Sequence, residues 1–271
     1  GPVAALKRIV GMFAFALLDR EEQKLFLARD RMGEKPCYYG RVGKDIVFSS
    51  ELKAIAQYRG FSRRIAPEAV DGYLKYSYVP APLTIYEDVR KLTPASYVEF
   101  DCENPSLPSD DKFYWSLEDQ FCNPSRQVQM DEQEAIESLE KILKDVVRSQ
   151  MVSDVPLGAF LSGGIDSSLV TAMMRSQSAR PVRTFTIGTG DQQFNEAEYA
   201  KAVAAHLGTE HTELVATPDD ALNVVPKLAT IYDEPFADSS QIPTFLVSRL
   251  TRQHVTVSLS GDGGDEIFAG Y

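Results

Sequence analysis

Cysteine is scarce in this chain: the three residues, Cys37, Cys102 and Cys122, form neither a CxxC pair nor a zinc-knuckle spacing. That excludes a disulfide framework and a redox dithiol, and an odd count without a framework fits a reducing compartment, the cytoplasm. Long apolar runs are missing as well. No stretch approaches the roughly 18 residues needed to span a bilayer. The apolar segment 10–18 lacks a signal peptide's cleavage region and reads as a strand. Basic excess is also absent: 28 Lys and Arg stand against 39 Asp and Glu, a net charge of −11. A nonspecific nucleic-acid binder shows the opposite balance, so neither nucleic acid nor membrane is expected as a partner. The three histidines, His206, His211 and His254, make no triad pattern with the cysteines.

What is present suits a globular chain. With 44% apolar, 25% charged and 10% aromatic residues, 271 residues can bury a sizeable core as one large or two ordinary domains. Residues 1–60 are net basic and the remainder net acidic, which is compatible with two domains. Strand-like segments at 9–18, 24–29, 37–42 and 45–50 are separated by Gly33, Pro36, Gly40 and Gly43. They follow one another too closely for helical crossovers, so the sheet is expected to be antiparallel. Helices are expected at 51–58 and 67–76, a strand at 96–100 and an exposed loop at 104–111, with a domain boundary between 115 and 130.

Beyond it the pattern changes. A helix is expected over 131–151, capped by Asp131 with Glu134 three residues on. Its apolar residues Ile136, Leu139, Ile142, Leu143, Val146 and Val147 recur near helical spacing. Strands at 155–161, 182–187, 211–215 and 255–260 then alternate with helices at 166–175, 195–207 and 240–252. Such alternation favours a parallel sheet covered by helices, an α/β fold.

Two glycine-rich segments follow strands of that sheet. The first reads Leu161-Ser162-Gly163-Gly164-Ile165-Asp166-Ser167-Ser168 and opens a helix. Paired glycines permit a tight turn and close approach of a phosphate to backbone N–H groups, and the helix start adds unsatisfied donors and a favourable dipole. The serines can add hydroxyl donors. Asp166 would repel a bare phosphate, so its presence implies Mg²⁺ between carboxylate and phosphate. No lysine follows the glycines, which excludes a Walker A loop, and the spacing is not that of a dinucleotide fold. A plain strand-to-helix turn with Asp166 as its cap is the alternative.

The second reads Leu259-Ser260-Gly261-Asp262-Gly263-Gly264-Asp265-Glu266-Ile267-Phe268-Ala269. Ligands of α/β sheets bind at loops like these, at the carboxyl ends of strands. If the two strands are neighbours, Asp166 and Asp265 can share one ion. An acidic surface turn is the alternative.

The first segment resembles the pyrophosphate loop of the N-type ATP pyrophosphatases, and its form is closest to their glutamine-dependent asparagine synthetase branch. The second is similar to a loop of the same branch, which usually has Glu where Asp262 stands and often Ala where Gly264 stands. The run 27–39, with Gly11–Leu18 before it and Phe48-Ser49-Ser50-Glu51-Leu52-Lys53 after it, resembles the later part of that branch's glutamine amidotransferase domain. Read from the residues alone, Arg29, Asp30, Arg31, Glu34 and Lys35 form a solvated charge cluster or an internal ion-pair network.

The resemblance implies two partial domains. Residues 1–122 would be the later part of an N-terminal nucleophile α+β glutaminase, and residues 123–271 a truncated adenine-nucleotide alpha-hydrolase-like domain. It implies an ATP-dependent carbon–nitrogen ligase. Glutamine supplies ammonia, aspartate is activated with ATP and Mg²⁺ as an aspartyl-adenylate, and asparagine, AMP and pyrophosphate result. It implies that Ser162, Gly163, Gly164, Asp166, Ser167 and Ser168 hold pyrophosphate, that Ser260 and Gly261 contact the adenylate, and that Phe160, Leu161, Ile187 and Gly188 line the nucleotide. Asp166 and Asp265 are then the metal ligands, Asp262 the catalytic acid near the intermediate, and Asp238 and Ser239 the substrate side.

The family nucleophile is an N-terminal cysteine, whereas this sequence begins Gly1-Pro2 and reaches its first cysteine at Cys37. The chain is therefore expected to be a fragment without glutaminase activity and with doubtful catalysis of its own. A homodimer is left open. Alternatives are an amidotransferase acting on another carboxylate, for example in cell-surface polysaccharide biosynthesis, and a nucleotide-binding domain without catalysis.

Overall fold

A computed structural model of the chain describes residues 1–123, 129–189, 196–268 and 270. Its contacts fall into two units, one of Gly1–Val128 with Leu228–Asp238, the other of Gln129–Lys227 with Ser239–Tyr271. The expected helix start at Asn195 and the loop residue Ala269 lie outside the described residues.

The first unit opens with α1 (Pro2–Leu6), then β1 (Ala14–Asp19), β2 (Lys24–Arg29), β3 (Tyr38–Val42), β4 (Asp45–Ser49), α2 (Leu52–Ile55) and α3 (Pro67–Tyr76). After these come β5 (Val89–Lys91), β6 (Ser96–Asp101), β7 (Lys112–Phe113) and α4 (Leu117–Phe121). The strands form two antiparallel sheets, ordered β1-β2-β6-β7 and β4-β3-β5. Strand β2 lies inside its sheet with both faces covered, so the consecutive Phe26, Leu27 and Ala28 are all buried. Leu27 packs with Tyr39, Val98 and Phe100, whereas Phe26 and Ala28 pack with Leu6 and Tyr114.

Three expectations change here. Residues 9–13 are not strand. The helix expected over 51–58 is a single turn, α2. The charged run 29–35 is only partly solvated: Glu34 and Lys35 are exposed, but Asp30 is buried and Arg29 and Arg31 half-buried, with backbone rather than one another as their partners. Asp30 is buried and its carboxylate accepts three main-chain N–H bonds, from Phe13 at 3.1 Å, Glu34 at 2.9 Å and Lys35 at 2.9 Å. The Arg29 guanidinium donates to the carbonyls of Gly33, Lys35 and Leu92. These charges fold a loop by gripping its backbone, because buried peptide groups need partners whichever side chains are near.

The second unit begins with α5 (Glu132–Gln150), where the expected capping box forms: Glu134 N–H donates to Asp131 Oδ1 at 2.8 Å and Asp131 N–H to Glu134 Oε2. Then follow β8 (Leu157–Phe160), α6 (Ile165–Gln177), β9 (Arg183–Thr189), α7 (Ala197–Leu207) and β10 (Glu210–Ala216). Next are α8 (Pro218–Leu222), α9 (Val225–Ile231), α10 (Gln241–Thr251), β11 (Val257–Leu259) and α11 (Gly264–Phe268). The last four residues of α9 already belong to the first unit. The sheet is parallel throughout and ordered β10-β9-β8-β11. Ala159, fully buried, packs with Val147, Met174 and Leu259 on one side, while Phe185, Leu250 and Val255 form a cluster on the other.

That order places a topological switch between β8 and β11. From β8 the chain crosses to β9 and β10 on one side, and it returns to β11 on the other. Connections leaving adjacent strands in opposite directions open a crevice at their carboxyl ends, where open α/β sheets bind ligands.

Candidate functional site

Both glycine-rich segments end at that crevice. After Phe160 the chain is held to β9 by Leu161 N–H, which donates to the Phe185 carbonyl at 2.9 Å. It then turns through Gly163, whose φ of +85° suits glycine. Two hydroxyls close the turn: Ser162 N–H donates to Ser167 Oγ at 3.2 Å, the two Oγ atoms lie 2.9 Å apart, and Gly164 N–H donates to Ser162 Oγ at 3.2 Å. Helix α6 starts after Gly164 without a side-chain cap. Asp166 sits in the first turn and does not cap, so the donors of that turn are left for an acceptor from outside.

The second segment folds differently from a plain loop. Gly263 turns at φ +92°, and the chain enters the short helix α11 at Gly264. The Ser260 hydroxyl donates to Asp262 Oδ2 at 2.9 Å, which holds that carboxylate against its own strand end.

The two segments touch. A Cβ on Gly261 would fall 2.7 Å from the Ser167 amide nitrogen and 3.1 Å from the Asp166 carbonyl carbon. A Cβ on Gly264 would fall 2.3 Å from Asp166 Oδ2. At Gly261, where the neighbour is backbone, only glycine lets the second loop lie against the first turn of α6 at this distance.

Between them is a cleft of about 530 Å³, within the range of small-molecule sites. Of the residues singled out from sequence, Phe160, Ser162, Gly164, Asp166 and Ser167 line it from the first side, and Ser260, Gly261, Asp262 and Asp265 from the second. Two apolar side chains that sequence reasoning passed over, Ile165 and Phe268, line it as well and remain largely exposed. The available signal for Ile165 was its place between Gly164 and Asp166, off the buried face of α6.

Other residues lie elsewhere. Leu161 is buried against Ala200 and Ala204. Gly163 packs on Tyr199 and Ala200. Ser168 Oγ is buried without a partner. Ile187 and Gly188 pair with Leu214 and Val215 on β10, beyond Phe160, where the β8 pairing ends. Asp238 belongs to the first unit and Ser239 to the second, and neither lines the cleft.

The donor set fits phosphate with magnesium. The first turn of α6 has no side-chain cap, its residues Ile165, Asp166 and Ser167 line the cleft together with Asp265, and two carboxylates are what Mg²⁺ takes when phosphate oxygens and water complete its shell. Among the described residues no group of three or more His, Cys, Asp or Glu could hold a metal. In the first unit, burial pushes the Cys37 thiol up to about 11, and the Arg29 charge offsets this only in part. A buried thiol that holds its proton at neutral pH is a poor nucleophile.

Two family models match successive parts of the chain. A family model described as "Glutamine amidotransferase domain" matches residues 1–115, and one described as "Asparagine synthase" matches residues 138–271. A putative glutamine-hydrolysing asparagine synthetase 2 of Methanocaldococcus jannaschii is 38% identical over 269 residues, covering 98% of this chain and 50% of the relative. Asparagine synthetase 1 of Bacillus subtilis is 34% identical, covering 98% of this chain and 40% of its own length. Asparagine synthetase B of Escherichia coli is 30% identical, with 98% and 44% covered. The chain spans about half the length, or less, of these relatives.

Proposed function

The chain belongs to the glutamine-hydrolysing asparagine synthetase family, and from that membership we propose that the cleft between β8 and β11 is the phosphate end of a site that activates a carboxylate with Mg·ATP. Its two modules are a glutamine amidotransferase of type 2 and a PP-loop nucleotide domain. We assign them to residues 1–122 and 123–271. The observation that carries the reading is the meeting of the two strand-end loops, with Gly261 against the Ser167 amide and Gly264 against the Asp166 carboxylate.

When bound, ATP would supply, with release of pyrophosphate, the AMP leaving group that a free carboxylate lacks. The chain supplies position and charge, the main source of catalysis in phosphoryl-type chemistry. First-turn amides of α6, together with Ser162, Gly164 and Ser167, hold the phosphate oxygens, while Gly163 shapes the turn and the Ser168 hydroxyl is buried. Asp166 and Asp265 hold Mg²⁺, which offsets their own repulsion of phosphate. Ser260 and Gly261 contact the adenosine-bearing phosphate, and Phe160, Leu161, Ile187 and Gly188 form the adenine side. Asp262, anchored by the Ser260 hydroxyl, accepts a proton from the ammonia nucleophile.

In the whole enzyme the substrates are aspartate, glutamine and the ammonia it yields, and the site is cytoplasmic. Among the described residues no helix is long and apolar enough to cross a membrane. A second reading, amidation of a different carboxylate, is favoured by one observation. Asp262 is bonded back to Ser260 and has one methylene less than the Glu of the family pattern. ATP–pyrophosphate exchange with a full-length parent separates the two. Exchange driven by aspartate supports asparagine synthesis, exchange driven only by another acid supports the second reading, and no exchange with any acid contradicts both.

A further inference from the structure

Residues Leu228–Asp238 lie inside the span matched by the asparagine synthase model, and the chain on either side of them is second unit. Their own contacts are with the first unit. Two carboxylates account for much of that. Asp233 Oδ2 accepts from the main-chain N–H of Lys53 at 3.1 Å. Lys53 is the second residue of α2, whose own N-cap, Glu51, makes no side-chain cap bond. Asp233 thus caps a helix 180 residues before it. The Lys53 ammonium answers in kind. It pairs with Asp233 Oδ1 at 3.1 Å and donates to the carbonyls of Thr230 and Ile231, at 3.1 and 3.2 Å, closing the last turn of α9.

Glu234 is held more deeply. Its side chain and that of Lys91 are 13% and 15% exposed, and they form an ion pair. Glu234 Oε2 also accepts from Ile85 N–H at 3.1 Å, while Lys91 donates to the Val79 carbonyl. Beyond them, Ala237 N–H donates to the Ser77 carbonyl at 2.9 Å and Phe236 forms an antiparallel bridge with Tyr78.

We propose that Lys53, Lys91 and the Ser77–Ile85 backbone form a built receptor on the first unit for the acidic run Asp233-Glu234-Pro235-Phe236. Asp233 and Glu234 are then positioning residues that seat Leu228–Asp238, and not ligands of the acyl substrate. The proposal stands without the reaction assigned above.

Charge decides how the receptor responds to change. Burial raises the Glu234 carboxyl above its ordinary range, Lys91 and the Ile85 amide lower it, and Asp233 raises it further. The same two carboxylates, added to burial, push the neighbouring Tyr38 hydroxyl up to about 12, so Tyr38 stays neutral. Ionised Glu234 therefore depends on Lys91, and neutral Glu234 does not.

The test is hydrogen exchange of the whole chain followed by mass spectrometry, with Lys91→Met and the double variant Lys91→Met/Glu234→Gln. In Lys91→Met at about pH 8, amides of 228–238 and of 83–91 are expected to exchange at least about tenfold faster than in the parent chain, because a buried charge has lost its partner. After correction for intrinsic rates, the excess shrinks toward about pH 4 as Glu234 is neutralised. The double variant recovers part of the protection, since no unpaired charge remains. Unchanged exchange of 228–238 in Lys91→Met overturns the proposal. So does an excess independent of pH, or a double variant at least as fast as the single one.

Discussion

Gly264 stands so close to Asp166 that a Cβ on the glycine would fall 2.3 Å from the aspartate Oδ2, whereas a Cβ on Gly261 would meet the Ser167 main chain at 2.7 Å. The two glycines therefore differ in what can give way. Gly264→Ala pushes on one side chain only, that of Asp166, from its Oδ2 to its Cγ at 2.4 Å. It is expected to fold with a stability within about 0.5 kcal/mol of the parent, while binding of Mg·ATP weakens a few-fold. Alanine here also accords with the family pattern. Gly261→Ala pushes against backbone and is expected to lose about 1–3 kcal/mol together with nucleotide binding. Thermal denaturation and titration calorimetry on the pair check the contrast.

Asp30 concentrates the first unit's loop chemistry in one carboxylate with three N–H donors. Asp30→Ala leaves those donors buried without an acceptor and is expected to cost about 3 kcal/mol. Denaturant unfolding followed by fluorescence measures it. A loss below about 0.5 kcal/mol would show that water replaces the carboxylate.

How much of this was legible beforehand depended on the kind of signal. The parallel unit could be read because its strands and helices alternate and its two loops carry glycine where backbone must approach backbone. Helix α5 was legible at its start, where Asp131 and Glu134 form a local box, but not in its burial. Of its apolar positions only Val147 is buried, and Ile136, Leu139, Ile142 and Val146 are exposed. Periodicity identifies a helical face without saying what covers it. Short elements such as β7 and α4 were missed because tertiary contacts fix them, as with β7 pairing onto Ser96 and Tyr97. The seat of Asp233 and Glu234 was invisible for the same reason: their partners lie 180 and 149 residues away for the two N–H bonds.

Cys37 gives a chemical check. Its thiol is buried and raised to about 11, while Cys102 and Cys122 are exposed. An aromatic disulfide reagent at about pH 8 is expected to modify two thiols quickly and the third only on unfolding. Because the folded state holds the Cys37 proton more tightly, its ionisation opposes folding. The stability associated with it is complete below about pH 8.5, the ordinary thiol value, and is lost as pH rises from there through about 11.

His211 works in the opposite direction. Burial lowers its pKa, and Nδ1 lies 2.9 Å from the Thr184 hydroxyl. The folded state favours the neutral ring, so stability present above about pH 6.5 is lost as pH falls below it. His211→Gln is expected to flatten the dependence of melting temperature on pH between about 8 and 5. Equal slopes in parent and variant would remove His211 from the account.

Calorimetric titration of ATP into the chain, with and without Mg²⁺, is the most direct test of the shared cleft. Binding is expected to require Mg²⁺. Asp166→Asn and Asp265→Asn should each weaken it at least about tenfold, with stability unchanged within about 0.5 kcal/mol. ATP binding that is indifferent to Mg²⁺ and equal in both variants would contradict a site built on these two carboxylates.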